Sequence, residues 1–220
     1  MKLTIHHDDC ADSPREYTDS TMICWHRRYN LGDEHGYADA EEFLREFACE
    51  FDDDLEEWID HQENQLCMEM VDDGIPWEYV GKFIGKRIAE RCWDTVSHHC
   101  AIVPVFMYEH SGVALSTGGF SCPWDSGQVG YIYYTNKQVG EFFAGDRGAA
   151  ERALEMECQA YGWYINGDVQ GYTVEDDDGE VVDSCWGFIG PDPATNGIRE
   201  AVTDGGNDWD ELVKDMEYAR

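Results

Sequence analysis

The chain has 220 residues, with 47 Asp or Glu against 15 Lys or Arg and a formal net charge of −32. Hydrophobic residues make up 42% of it and aromatic residues 13%, enough to build a core and too many for a disordered acidic tail. The charge argues against nucleic acid and anionic membranes as direct partners, because both repel such a surface.

In chain order, residues 1–19 read as polar and irregular. STMICWHRRYNLG predicts a strand over residues 21–29, ending near Gly32. YADAEEFLREFACEF predicts a helix in which Asp39 caps and Glu42, three residues on, completes a capping box. Phe43, Leu44, Phe47 and Phe51 form its buried stripe. EFDDDLEEWIDHQENQLCMEM follows as a second helix or a continuation, with Leu55, Trp58, Ile59, Leu66 and Met70 at helical spacing. Asp52, Asp53 and Asp54 in its first turn would favour the helix dipole. VDDGIPWEYVGKFIGKRIAERCW turns and starts a further helix near Pro76. This helix is locally basic through Lys82, Lys86, Arg87 and Arg91, and its sign predicts a place beside the acidic helices, neutralising part of their inner edge.

The second half changes character. CAIVPVFMYEH, GVALST and QVGYIYYT read as strands between Gly-containing turns. NKQVGEFF and RGAAERALEMECQAYGWYI read as a short and a longer helix. GDVQGYTVEDDDGEVVDSCWGFIG reads as a hairpin with an acidic Asp-Gly turn. NDWDELVKDMEYA closes as an amphipathic helix capped by Asn207 or Asp208. The elements do not alternate as βαβ units, so the expected class is α+β: an antiparallel sheet with flanking helices. One domain is expected over residues 1–220, with residues 38–93 as a mostly helical acidic insertion or subdomain.

The acid is unevenly placed. Between residues 33 and 79 there are 18 Asp or Glu and one base, Arg45, whereas residues 101–150 hold four acids and two bases. Asp52, Glu56 and Asp60 form an i, i+4 row with Glu63 near its line, and Asp53 and Glu57 start a second. Each like-charged pair at that spacing costs a helix roughly 0.2–0.5 kcal/mol, so the rows are not there for helix stability. Duplex DNA carries a charge about every 1.7 Å along its axis. A carboxylate array offers a basic cleft comparable rows of anions. A halophile's solvated acidic coat is the competing explanation; the low count of five Lys suits it, the near-neutral centre and nine Cys do not.

Chemistry-bearing motifs are few. Cys122 sits between Gly-rich turns with His110 and Asp125 nearby, the three groups that a thiol-dependent hydrolase or transferase would need. The less demanding reading of the same loop is structural, packed by Phe120, Pro123 and Trp124. HHDDC and HHC contain ligand-type residues but no paired CxxC or HExxH spacing, so no metal is expected. EDDDGE lacks the full calcium-loop pattern. No phosphate-cradling loop appears and no cofactor is expected. In WHRRY, Arg27 and Arg28 are expected to be internal salt-bridge partners. No apolar run is long enough to span a bilayer, and MKLTIHHDDCADSP lacks the apolar region of a signal peptide. A cytosolic setting with reduced thiols is therefore expected.

FSCPWDSGQVGYIYYTNKQV and NGDVQGYTVEDDDGEVVDSCWGFIG, with MICWHRRYNLGDEH upstream, resemble a family of small proteins encoded by phages and mobile elements. The similarity covers residues 102–190. The resemblance supplies no catalytic residues and implies a mobile-element setting in the cytoplasm of a host bacterium. The segment from 52 to 93 looks less typical of the family and is the candidate for a specialised function. Charge and setting together lead to an expected anti-defence role, antirestriction or anti-CRISPR, by mimicry of nucleic-acid charge. Asp52, Asp53, Asp54, Glu56, Glu57, Asp60 and Glu63 would face the cationic groove of a basic nucleic-acid-binding protein or complex. Trp58 is expected to pack the helix onto the body. A homodimer would lengthen the anionic surface, although no heptad run announces one.

Overall fold

The computed structural model describes every residue except Ser111, Pro123 and Arg220. Its first half contains β1 (Lys2–His7), β2 (Thr21–Cys24), α1 (Ala40–Cys49), α2 (Leu55–Asp60), a π-helical stretch (His61–Leu66), α3 (Cys67–Asp72) and α4 (Trp77–His99). Then come β3 (Cys100–Glu109), β4 (Val113–Ser116), β5 (Ser126–Thr135), α5 (Asn136–Phe143) and α6 (Arg147–Ile165). The chain closes with β6 (Val169–Glu175), β7 (Val181–Ile189), α7 (Ile198–Asp204), α8 (Trp209–Leu212) and β8 (Glu217–Tyr218). The class is α+β, as patterning predicts, with two four-stranded sheets ordered β7-β6-β1-β8 and β2-β5-β3-β4. Two compact units are formed, one from Met1–Thr18, Val105–Gln128 and Glu155–Arg220, the other from Asp19–Pro104 and Val129–Leu154. Residues 38–93 fall within the second.

In that second unit Asp39 caps α1, its side chain accepting from the amides of Glu41 and Glu42, each at 2.9 Å. The return arm of the expected box is shifted by one residue, because the Glu42 carboxylate accepts from the amide of Ala38 rather than from that of Asp39. Phe43 and Phe47 are buried and stacked at 5.3 Å. They pack in one cluster with Leu55, Ile59, Val80, Ile84 and Ile88, so α1, α2 and α4 share a core. The buried positions after Ile59 are Gln62 and Cys67. That five-residue step reflects the π turn, which inserts one residue into the α-helical rhythm. Cys67 is thereby carried inward in place of Leu66. Gln62 is 3% exposed and its Oε1 has no partner among the described residues.

The strand expected to reach residue 29 ends at Cys24. The amide of Trp25 makes a last bond to the Val129 carbonyl at 2.7 Å, and the chain then folds back so that Gly32 bridges Ile23. Gly32, at φ +75°, lies so close to the Met22 carbonyl that a side chain has no room.

In the first unit the sheet buries Leu3 and Ile5 of β1 with Tyr172 and Val174 of β6, in one cluster with Ile198 and Val202 of α7. β1 corrects the expectation of an irregular N-terminus. Only two of its side chains are buried, and its order comes from antiparallel pairing with β6 and parallel pairing with β8. The β6–β7 hairpin forms as expected. Its turn is tied by the Asp176 side chain, which accepts from the amides of Asp178 and Glu180 at 2.9 and 3.0 Å, with Gly179 at φ +82°. The long closing helix does not form. Asp208 caps a single turn, Trp209–Leu212, and the chain then extends to pair with the open edge of β1, where Ala219 donates to the Ile5 carbonyl at 2.8 Å. α7 was not expected. Its marks are Ile198 and Val202 one turn apart, with Gly205 and Gly206 as a stop.

Two glycines give opposite expectations. A Cβ at Gly130 would run into the Ile23 carbonyl across the β2–β5 pair, whereas one at Gly85 in α4 meets nothing within 4 Å. Gly130→Ala should cost about 1–3 kcal/mol. Gly85→Ala should gain about 0.5–1 kcal/mol by helix propensity. Urea unfolding checks both; equal stability of Gly130→Ala and the parent would contradict the β2–β5 register.

Candidate functional site

The acidic residues singled out from sequence divide into two groups. Asp52 lies ahead of α2 and is clamped by Arg91 at 2.7 Å. Glu63 lies beyond Asp60 in the π turn and receives both arms of the Arg45 guanidinium, at 2.8 and 3.1 Å. The row predicted from Asp52 to Glu63 is therefore reduced to Glu56 and Asp60, one helical turn apart. Asp53, Asp54, Glu56, Glu57 and Asp60 are exposed, and none makes an ion pair among the described residues.

The adjoining helix adds to this field. Asp39, Glu41, Glu42, Arg45, Glu46 and Glu56 line an open groove of about 630 Å³. Glu42 and Glu46 form an i, i+4 row that the sequence shows, beyond the acidic residues expected to face a partner. Nearby groups register the negative potential. The Cys49 thiol is pushed up first by burial and then by the Glu56 carboxylate, with Arg45 opposing. Burial raises the Tyr37 hydroxyl, and Glu50 and Glu46 raise it further.

The basic residues of α4 do little to cancel the field. Arg91 holds Asp52, as its sign predicted. Arg87 stacks over Trp58 at 5.8 Å, and Trp58 packs against the core as expected. Lys82 and Lys86 pair with Glu78 and Glu90 of their own helix, at 3.1 and 3.6 Å.

Cys122, Asp125 and His110 do come together, with the carboxylate in the middle. The Cys122 thiol points at Asp125 Oδ2 at 3.7 Å, and His110 Nδ1 lies 3.8 Å from the same oxygen. A base-activated thiol needs the imidazole beside the sulfur. Here the sulfur's neighbour is an acid, and no His110–Cys122 hydrogen bond occurs among the described residues. In the same loop Trp124 is 91% exposed, so it does not pack the turn, and Pro123 lies outside the described residues.

The histidine motifs are engaged locally. His6 bonds Thr173 at 2.9 Å, while His99 bonds the Thr95 carbonyl at 2.9 Å and stacks on Phe51. Among the described residues no three His, Cys, Asp or Glu side chains stand together as a metal site. Arg28 lies over the Tyr29 ring at 5.6 Å, and Arg27 makes no ion pair among the described residues, contrary to its expected internal role. No helix among them is long and apolar enough to cross a membrane. No known protein family, curated protein or solved structure matches the chain.

Two measurements follow from the thiols. Iodoacetamide at neutral pH should label Cys122 no faster than the exposed Cys10 and Cys185; selective labelling of Cys122 would contradict a structural loop. Burial pushes Cys92 up to about 11, and Cys100 and Cys158 up to about 12, from an ordinary 9.0. Each is favoured neutral in the folded chain, so its contribution to stability is complete below pH 9.0 and is lost as pH rises toward those folded values. The urea midpoint should fall above pH 9.0, and less steeply in Cys158→Ala. A midpoint that is flat with pH would contradict this burial.

Proposed function

We propose that this chain is an anti-defence protein of a phage or mobile element, acting in the bacterial cytoplasm. It binds a basic nucleic-acid-binding protein or complex and occupies the groove that would otherwise hold DNA or RNA. The observation that carries this reading is the set of five unpaired carboxylates, Asp53, Asp54, Glu56, Glu57 and Asp60, on a scaffold anchored by a buried core. Glu41, Glu42 and Glu46 extend it along the groove. Asp52 and Glu63 take a different part, since their charge is spent inside the chain on Arg91 and Arg45.

The mechanism is steric occupancy, with no bond made or broken. A dense anionic surface steers a cationic partner into encounter, raising the association rate in a salt-sensitive way. Glu56 and Asp60 are one turn apart, about 6 Å along the axis. That is wider than the phosphate lattice, so the match is one of field and not of atomic position. Lysine and arginine side chains are long enough to close that difference.

The test is retention of partners from a nuclease-treated bacterial lysate by the immobilised chain. It is run beside a variant with Asp53, Asp54 and Asp60 changed to Asn and Glu56 and Glu57 changed to Gln. A nucleic-acid-binding complex should be retained by the parent only. It should be released by duplex DNA, or by salt near 1 M, where the screening length is about 3 Å. Retention that the variant preserves, or that duplex and salt leave unchanged, would falsify charge mimicry.

A further inference from the structure

The helical segment ends in an apolar tip that its charge does not explain. Met68, Val71, Ile75, Trp77, Tyr79 and Phe83 are all exposed, with Met68, Trp77 and Tyr79 at 70%, 68% and 65%. They lie within one short stretch at the turn from α3 to α4, and those two helices pack on each other. The core beneath is already supplied by Cys67, Val80, Ile84 and Ile88. On α4, Tyr79 and Phe83 are one turn apart and share a face that flanks the buried stripe of Val80, Ile84 and Ile88, where both are exposed. Summed, these six side chains expose on the order of several hundred Å² of apolar residue within one short stretch of chain.

The surroundings specify what could cover such a tip. Glu69, Asp72, Asp73 and Glu78 are exposed among its residues, and the one base from 68 to 83, Lys82, is paired with Glu78 at 3.1 Å. A second copy of this chain would bring two such acidic sets together, on a molecule whose net charge is already −32. An anionic membrane would be repelled in the same way. What complements the tip is an apolar pocket with a cationic border. Exposed tryptophan and tyrosine are the side chains that most often dominate a protein interface, through the water they exclude.

We propose that the α3–α4 tip is the anchor by which this chain docks on its target, seated in an apolar pocket of a partner protein whose rim carries lysine or arginine. This rests on the charge-mimic reading and divides its labour. The carboxylates of α1 and α2 govern how fast the complex forms, and the tip governs how slowly it comes apart.

The experiment uses the DNA-displaceable complex retained by the parent chain and follows its binding to three immobilised forms. These are the parent, the five-carboxylate variant and a Trp77→Ala, Tyr79→Ala, Phe83→Ala variant. The three replaced side chains are exposed, so folding should persist and circular dichroism checks it. A companion Trp77→Leu, Tyr79→Leu, Phe83→Leu form keeps an apolar tip and should recover part of the lifetime. The alanine variant should dissociate at least about tenfold faster, the scale of losing hot-spot aromatics, with association and its salt dependence kept. The carboxylate variant should lose association. If dissociation of the alanine variant matched the parent while the carboxylate variant failed to associate, the anchor would be wrong and charge mimicry would stand. Failure of the parent to retain any DNA-displaceable complex would overturn both. Sedimentation of the parent as a dimer that the alanine variant dissolves, or tip-dependent binding to phosphatidylcholine vesicles, would replace the proposed occupant with a second copy or a lipid surface.

Discussion

Like-charge repulsion is the constraint to which the helical segment answers. Each pair of carboxylates one turn apart works against the helix by roughly 0.2–0.5 kcal/mol, and α1 and α2 carry several on adjoining faces. The helices persist because Phe43, Phe47, Leu55 and Ile59 are buried beneath those carboxylates. Burying a single such side chain contributes about 1.5–3 kcal/mol, more than several repelling pairs remove. The two arginine clamps act on placement more than on stability. Exposed ion pairs contribute about 0.2–1 kcal/mol, yet Arg91 at Asp52 and Arg45 at Glu63 fix both ends of the stretch that carries the unpaired acids.

This arrangement concentrates potential. Of the cations of α4, Lys82 and Lys86 pair on their own helix, Arg87 lies over the Trp58 ring of α2, and Arg91 holds Asp52 ahead of it. Such a surface attracts any cationic groove and cannot by itself choose among them. An apolar tip at the end of the same segment adds shape to charge, because a pocket must fit tryptophan and tyrosine side chains as well as supply a basic rim. On the proposed reading, charge gives speed and reach, and the tip gives lifetime and choice.

Local patterns were the legible part of the fold. α1 with its Asp39 cap, α5, α6 and the β6–β7 hairpin are each written in a short window, as a capping residue, a helical stripe or two strands about a Gly turn. What could not be read there depends on partners far along the chain. β1 has two buried side chains and becomes a strand through β6, more than a hundred residues away, and β8 exists because β1 leaves an edge open. The π turn has no spacing of its own in the sequence; it appears only where Cys67 is carried inward ahead of Leu66. The site follows the same rule. Its acids were plain in composition, but which of them are free depended on Arg45 and Arg91, whose partners lie 18 and 39 residues away. The tip is not legible in the sequence because aromatic residues in a helix are as readily core as surface, and Trp77, Tyr79 and Phe83 carry no mark that separates the two.

The most direct measurement is zero-length carbodiimide cross-linking of the chain to the DNA-displaceable complex that the proposal expects it to retain, with linked peptides identified by mass spectrometry. Carboxylate–lysine links should run from Asp53, Asp54, Glu56, Glu57 and Asp60 to lysines lining the partner's nucleic-acid groove. Links that arise instead from the hairpin acids Asp176, Asp177 and Asp178, or that end on lysines outside that groove, would contradict charge mimicry by the helical segment.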